Sequence, residues 1–257
     1  MKSKKIIALA SLFLLAGCAK DNAATEVSSS TAASETVAST MSTESSEEVV
    51  INYDNEQLAD LLTELAVVYP DSRFPSEVPY EAGKNLNVVA NVEEQNEALL
   101  YYALDEKYDV NADNLHAETP FAAFYKEVLE SPEAAQEMVG KQIAAGASEV
   151  DLGHGITGYR EGGAGSAYLV WEEGNWVISV RASNIDGQDP VVKGQEIVEF
   201  LETVALPAPN TDGQINIDLV ISDMYATQIR WQAENVVYTV CHQDAISAIK
   251  MAVSMNN

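Results

Sequence analysis

Basic residues are scarce in this chain of 257 residues: 14 Lys and Arg stand against 40 Asp and Glu, a formal net charge of −26. A surface so negative repels nucleic-acid phosphate and anionic lipid headgroups alike, so neither is an expected partner. The acidity reads as solubility in an ion-rich exterior, with a surface for cations or a basic partner as the alternative. Histidine is nearly absent too, with His116, His154 and His242 the complete set. The chain holds no Gly-x-Ser-x-Gly elbow, no His-Glu-x-x-His pair and no Cys-x-x-Cys. Common hydrolase and zinc chemistries therefore lack their residues, and no metal, cofactor or catalytic residue is expected. No stretch reaches 18 consecutive uncharged apolar residues, which leaves no segment expected to span a bilayer as a helix.

What is present begins with an address. Lys2, Lys4 and Lys5 precede an 11-residue run without charge, 6–16, that ends in Leu15-Ala16-Gly17-Cys18. The run is too short to span a hydrocarbon core and has the form of a signal peptide. Leu15-Ala16-Gly17-Cys18 resembles the lipobox of bacterial lipoproteins: a branched apolar residue, two small residues, then the cysteine. That resemblance covers residues 1–18. It implies cleavage before Cys18, a diacylglyceryl group on its sulfur, and attachment to the extracytoplasmic face of the cell membrane. Two acyl chains give stable attachment at roughly 0.8 kcal/mol per buried CH₂, where one would give marginal binding. Cys241 is then left without a partner in the chain and reads as a small core residue.

Residues 19–48 hold 13 Ser or Thr, six Ala, and no aromatic, Gly or Pro. Such a segment cannot bury enough apolar surface to offset its ordering entropy, so 18–48 is expected to be a disordered tether behind the lipid. Its root-mean-square reach is ~30 Å, and ~100 Å pulled straight. A spacer of that length suits a Gram-positive envelope, and its Ser/Thr content would suit glycosylation.

Residues 49–257 form the expected folded domain, and hydrophobic content of 47% fits a globular core. Leu58, Leu61, Leu62, Leu65 and Val68 set out a helical stripe over 55–68, stopped at Tyr69-Pro70. Strands are expected at 86–92 and 98–104. Thr119-Pro120 opens an expected helix to 129, and Ser131-Pro132-Glu133 another to about 145. Strands at 155–160, 166–172 and 175–182 lead to a helix over 191–204. Strands at 214–220, 226–232 and 235–241 lead to a last helix over 245–255.

An internal echo runs through the second half. At an offset of 60 residues, Trp171 meets Trp231, Asn175 meets Asn235, Val177 meets Val237 and Val180 meets Val240. Each copy reads as a hairpin followed by a helix, giving repeat units 155–206 and 214–257. A hairpin with one apolar face is marginal alone, and a helix laid across that face would cover it. The expected fold is α+β, an antiparallel sheet with helices packed on one face. The segment from Ile229 to Tyr238, together with Ala248-Ile-Lys-Met-Ala-Val-Ser-Met, resembles extracytoplasmic domains of unknown function. These occur in lipoproteins and anti-sigma-factor ectodomains. That resemblance implies fold and location, and no catalytic residue.

Several polar groups could carry chemistry, and each has a plainer reading. His154, in Gly153-His154-Gly155, reads as a loop residue rather than an acid/base. His242 lies in the turn before the last helix, without nearby ligands. Asp109-x-Asn111-x-Asp113 opens like a calcium loop, but Asn114 and Pro120 stand where glycine and glutamate are needed, so it reads as a solvated loop. Gly162-Gly163-Ala164-Gly165 reads as a hairpin loop. Asn184, Asp186 and Asp189 around Gly187 read as an acidic turn. Trp171 and Trp231 read as core anchors, and Trp176 as the tryptophan suited to a surface role.

These features favour a membrane-anchored, non-enzymatic binding module for an envelope protein, peptide or glycan. The alternative is an envelope hydrolase that uses dispersed carboxylates, which leave no sequence motif.

Overall fold

The computed structural model describes residues 51–52, 55–70, 72–93, 95–140 and 148–256. All fall within the unit Glu47–Asn257. The signal peptide, Cys18 and the tether lie outside the described residues.

Chain order is β1 (Ile51–Asn52), α1 (Asn55–Val68), β2 (Tyr80–Glu81), β3 (Asn85–Val92), β4 (Asn96–Leu104), β5 (Ala122–Val128) and α2 (Pro132–Val139). Then come β6 (Ser148–Asp151), β7 (Thr157–Gly163), β8 (Ser166–Glu173), β9 (Trp176–Ser183) and α3 (Pro190–Leu201). The chain closes with β10 (Gly213–Asp218), β11 (Thr227–Ala233), β12 (Val236–His242) and α4 (Ala245–Val253). Strands β3 to β12 make one ten-stranded sheet in the order β3-β4-β5-β12-β11-β10-β9-β8-β7-β6, and β1 pairs with β2 apart from it.

The fold is α+β, and the sheet departs from the expected pattern in two ways. It is mixed, because β10 runs parallel to β9 and antiparallel to β11. The connection through α3 carries the chain back to the starting end, so the next strand joins parallel. Nor do all helices share one face. α1, α3 and α4 cover the face carrying Val88, Phe124, Leu169, Ile178, Ile215 and Val240. α2 packs Ala135 and Val139 against Val237, and side chains alternate along a strand, so α2 lies on the opposite face from Val240.

The segment 119–129, expected as a helix, is instead the central strand β5, paired with β4 on one side and β12 on the other. Ala122, Ala123 and Phe124 are all buried, so both faces of the strand are covered and the alternation that marks a half-buried strand is missing. The helix begun at Ser131 is shorter than expected. The Ser131 hydroxyl accepts from Ala134 N–H at its start, and Gly140, with φ of 71°, ends it. The remainder of its expected course, 141–145, lies outside the described residues.

The main core runs as an aromatic row beneath the helices. Trp176 tilts against Trp231, Trp231 stacks on Tyr238 with centroids 5.2 Å apart, and Tyr238 stacks on Phe124. Fully burying a Leu, Ile or Phe side chain contributes about 1.5–3 kcal/mol, so this layer outweighs any surface ion pair.

The free edge at β3 is blunted. The Gln57 side chain accepts from Leu86 N–H, and the Asn111 side chain accepts from Ala90 N–H. Groups that could template another strand are thereby spent inside the chain.

Candidate functional site

The second face of the sheet is where exposed chemistry collects. Pairing registers align its side chains in rows across strands. One row runs Glu161, Tyr168, Arg181, Asp218 over β7, β8, β9 and β10. The next runs Tyr159, Val170, Ser179, Asn216, Gln228 and reaches Cys241. Their opposite-face neighbours, such as Leu169, Val180 and Ile217, lie in the core, so the alternation of each strand fixes which groups face outward.

These rows floor a groove of about 520 Å³. The segment after β10 walls it, placing Ile221 and Tyr225 over the strands. That segment is held firmly by its own side chains. Asp218 accepts from Val220 N–H at 2.9 Å, Asp223 accepts from Tyr225 N–H at 2.7 Å, and the Gln188 amide donates to the Leu219 carbonyl. Met224 anchors it underneath, packed with Ala123 and Cys241. Val220, Ile221 and Tyr225 are exposed as a result, as are Tyr159 and Tyr168. Tyr225 and Gln228 also border a shallower depression of about 280 Å³ that continues over Arg230, Thr239 and Tyr125.

Electrostatically the groove is self-compensated. Arg181 Nη1 donates to Asp218 Oδ2 at 2.8 Å, which neutralises its cation. Hydrogen bonding to Asp218, then its charge, holds the Arg181 guanidinium above its ordinary pKa. Ser179 Oγ donates to Asn216 Oδ1 at 2.8 Å. The backbones of Glu161 and Asp218 stand three strand spacings apart, roughly 14 Å at ~4.8 Å per strand. Paired-carboxylate hydrolysis needs separations of roughly 5–9.5 Å.

The residues singled out from sequence are scattered. Trp171 and Trp231 are buried core anchors, as expected. Trp176 corrects its expected surface role: it is 5% exposed, and its indole donates to the Pro207 carbonyl. Gly213, directly opposite on β10, leaves the room its ring occupies. Cys241 is buried, and desolvation pushes its thiol up to about 12. Asn111 turns out to serve the β3 edge. Ala164-Gly165 forms the β7–β8 turn, with φ of 49° and 84°. Asp189 caps α3, accepting from Val191 N–H at 3.0 Å.

His154 is exposed and meets Glu199 at 2.8 Å and Glu202 at 3.9 Å. Its pKa is raised, chiefly by the hydrogen bond to Glu199. Nearby Glu173 is raised by burial, although the Trp171 indole donates to it. This cluster lines none of the depressions above. Among the described residues no group of His, Cys, Asp or Glu is placed to hold a metal ion.

Sequence reasoning missed Tyr159, Tyr168, Tyr225 and Gln228 as site residues. The available signal was the polar member of each strand alternation, but strand order was needed to bring them together. Comparison with known protein families, curated proteins and solved structures gives no match to this chain.

Proposed function

We propose that this chain is an extracytoplasmic lipoprotein held on the cell membrane through Cys18, and that its domain is a non-enzymatic binding module for an envelope component. The anchor rests on Lys2, Lys4 and Lys5, the short apolar run and Leu15-Ala16-Gly17-Cys18. The likeness of 229–238 to extracytoplasmic domains points to the same address. We also read the β8–β9–α3 and β11–β12–α4 units as a duplicated hairpin-and-helix element, on matched turn geometry and the shared Trp and Val positions.

One observation carries the binding reading. Three tyrosines and Ile221, with Val220 beside it, stand exposed around a floor of hydroxyl and amide groups. Isolated exposed apolar residues are ordinary, but a cluster beside ordered polar groups marks a contact surface. The wide separation of Glu161 and Asp218, and the exposure of His154 outside the groove, support binding over hydrolysis.

The test places a photoreactive residue at position 225, or at exposed Val67 as control, in intact cells. Specific adducts from position 225 alone are expected. Equal or absent adducts at both positions would remove the basis for the binding reading. For the anchor, Cys18→Ser is expected to abolish palmitate labelling and move the protein from membrane to medium. Unchanged membrane fractionation would defeat it.

A further inference from the structure

Resting on the groove as a binding surface, we infer that its ligand is an uncharged oligosaccharide whose pyranose rings lie against Tyr159, Tyr168 and Tyr225. Charge narrows the choice first. The one cation on the floor, Arg181, is matched by Asp218, and the remaining carboxylate in the row, Glu161, repels an anion. Within the lining a phosphorylated or acidic ligand finds no uncompensated cation, and Arg230, two residues beyond Gln228, lies outside it with its Nε donating to Thr239. Within the lining a run of cations finds a single uncompensated carboxylate, while exposed Glu149, opposite Tyr159, and Glu172, two residues beyond Val170, stand on the same face outside it. What is complementary to the groove is a ligand without net charge.

The functional groups narrow it further. A pyranose presents a flat patch of C–H groups on its faces and hydroxyls around its rim. Tyrosine suits both, with a ring that covers the apolar patch and a phenol that meets a hydroxyl. The hydroxyls of a sugar each donate and accept, so they match hydroxyl, amide and carboxylate side chains that do one or both. Ser179, Asn216 and Gln228 form such a line across β9, β10 and β11, with Ser179 donating to Asn216 and Asn216 to Gln214. Among the described residues the side chains of Glu161 and Gln228, at opposite ends of the floor, make no hydrogen bond within the protein. They remain free to meet a ligand. The cavity, about 520 Å³, sits within the ~300–1,000 Å³ of small-ligand sites. Its walls are fixed by backbone hydrogen bonds to Asp218, Asp223 and Gln188, so little ordering remains to oppose binding.

The experiment is calorimetric titration of the full chain, purified in a detergent lacking a sugar headgroup. The probes are cellotetraose, maltotetraose and the tetramer of N-acetylglucosamine, with oligolysine and oligoglutamate of similar length. At least one tetrasaccharide is expected to bind at micromolar to millimolar concentration, and neither peptide. Tyr225→Ala and Tyr168→Ala are each expected to weaken it tenfold or more without shifting the thermal midpoint, while Tyr225→Phe retains most of the affinity. Gln228→Ala is expected to weaken it without any change at the rings. Absence of binding by all three sugars, equal binding by the alanine variants, or binding of oligolysine instead would overturn the inference. Adducts formed at position 225 in cells, with no sugar binding in the calorimeter, would sink the sugar while leaving the binding surface standing. Failure of both would remove both.

Discussion

Gly174 and Glu234 occupy corresponding places in two β-hairpins and share a positive φ, 60° and 56°. Each sits in a two-residue loop, between Glu173 and Trp176 in one hairpin and between Ala233 and Val236 in the other. Tight hairpin loops need positive φ to match the twist of their strands. Glycine meets that need freely, whereas glutamate does so under strain. The second loop holds its shape through neighbours: Asn210 Oδ1 accepts from Glu234 N–H, and the Gln232 amide donates to the Glu234 carbonyl.

Glu234→Gly should therefore stabilise the protein. Relief of ~1–2 kcal/mol of backbone strain exceeds the ~0.5–1 kcal/mol of extra chain entropy that glycine brings to the unfolded state. Both supporting bonds use backbone atoms of residue 234 and survive the change. A rise in thermal midpoint of about 1–4 °C is expected. The reverse experiment, Gly174→Ala, meets open space at the new Cβ and should cost about 1 kcal/mol for backbone strain alone. A lower midpoint for Glu234→Gly would show that the glutamate side chain itself holds the loop.

His242 makes stability depend on pH. Its Nε2 donates to the Pro79 carbonyl at 2.9 Å, and its Nδ1 accepts from Asp244 N–H at 2.8 Å, which fixes the neutral ring with the proton on Nε2. Burial lowers its pKa below the ordinary value of about 6.5. Above that value both folded and unfolded chains carry it neutral. Below it the unfolded chain takes up a proton that the folded one refuses, so stability falls as pH falls, by up to about 1.4 kcal/mol per pH unit. Exposed His154, with a raised pKa, acts in the opposite sense, but its pairing is solvated and screened. Urea unfolding at pH 7.5 and 5.5 should show the loss, and His242→Asn should flatten the dependence while lowering stability at pH 7.5. An equal slope in the variant would assign the effect elsewhere.

Gly213 has a packing role rather than a conformational one. A Cβ there would sit 2.6 Å from the Trp176 ring, which its indole bond to Pro207 prevents from sliding away. Gly213→Ala is expected to destabilise by about 1–3 kcal/mol, the cost of overpacking a tight core. Gly163→Ala, where a Cβ meets nothing, serves as the control and should cost far less. Similar midpoints for the two variants would mean that the ring can move.

Helix α1 and both tryptophan-bearing hairpins were legible because a solvent-facing side leaves its period in the sequence. β5 was not, since two covered faces erase alternation and Phe121, Ala122 and Phe124 fall at spacings a helix could also use. Trp176 misled for a related reason: its counterpart at the 60-residue offset is Val236, and the cavity it fills is made by Gly213, 37 positions away and visible only once β9 and β10 pair in parallel. The groove was hidden in the same manner. Tyr159, Tyr168 and Tyr225 come from three separate segments, and only the strand order of the sheet assembles them.

Thiol chemistry joins the two ends of the chain in one measurement. Cys241 is buried, and its thiol, pushed up to about 12 by desolvation, stays protonated and unreactive at neutral pH. The native protein recovered from membranes should take up no alkylating reagent at pH 8. After denaturation, Cys241 becomes an ordinary thiol and should react once per chain. A lipidated Cys18 stays silent in both conditions, because its sulfur is already a thioether. Denatured Cys18→Ser protein should likewise label once, at Cys241. Two labels per denatured wild-type chain would mean a free Cys18 and would remove the anchor, whereas labelling of the native protein at Cys241 would mean that β12 opens to solvent.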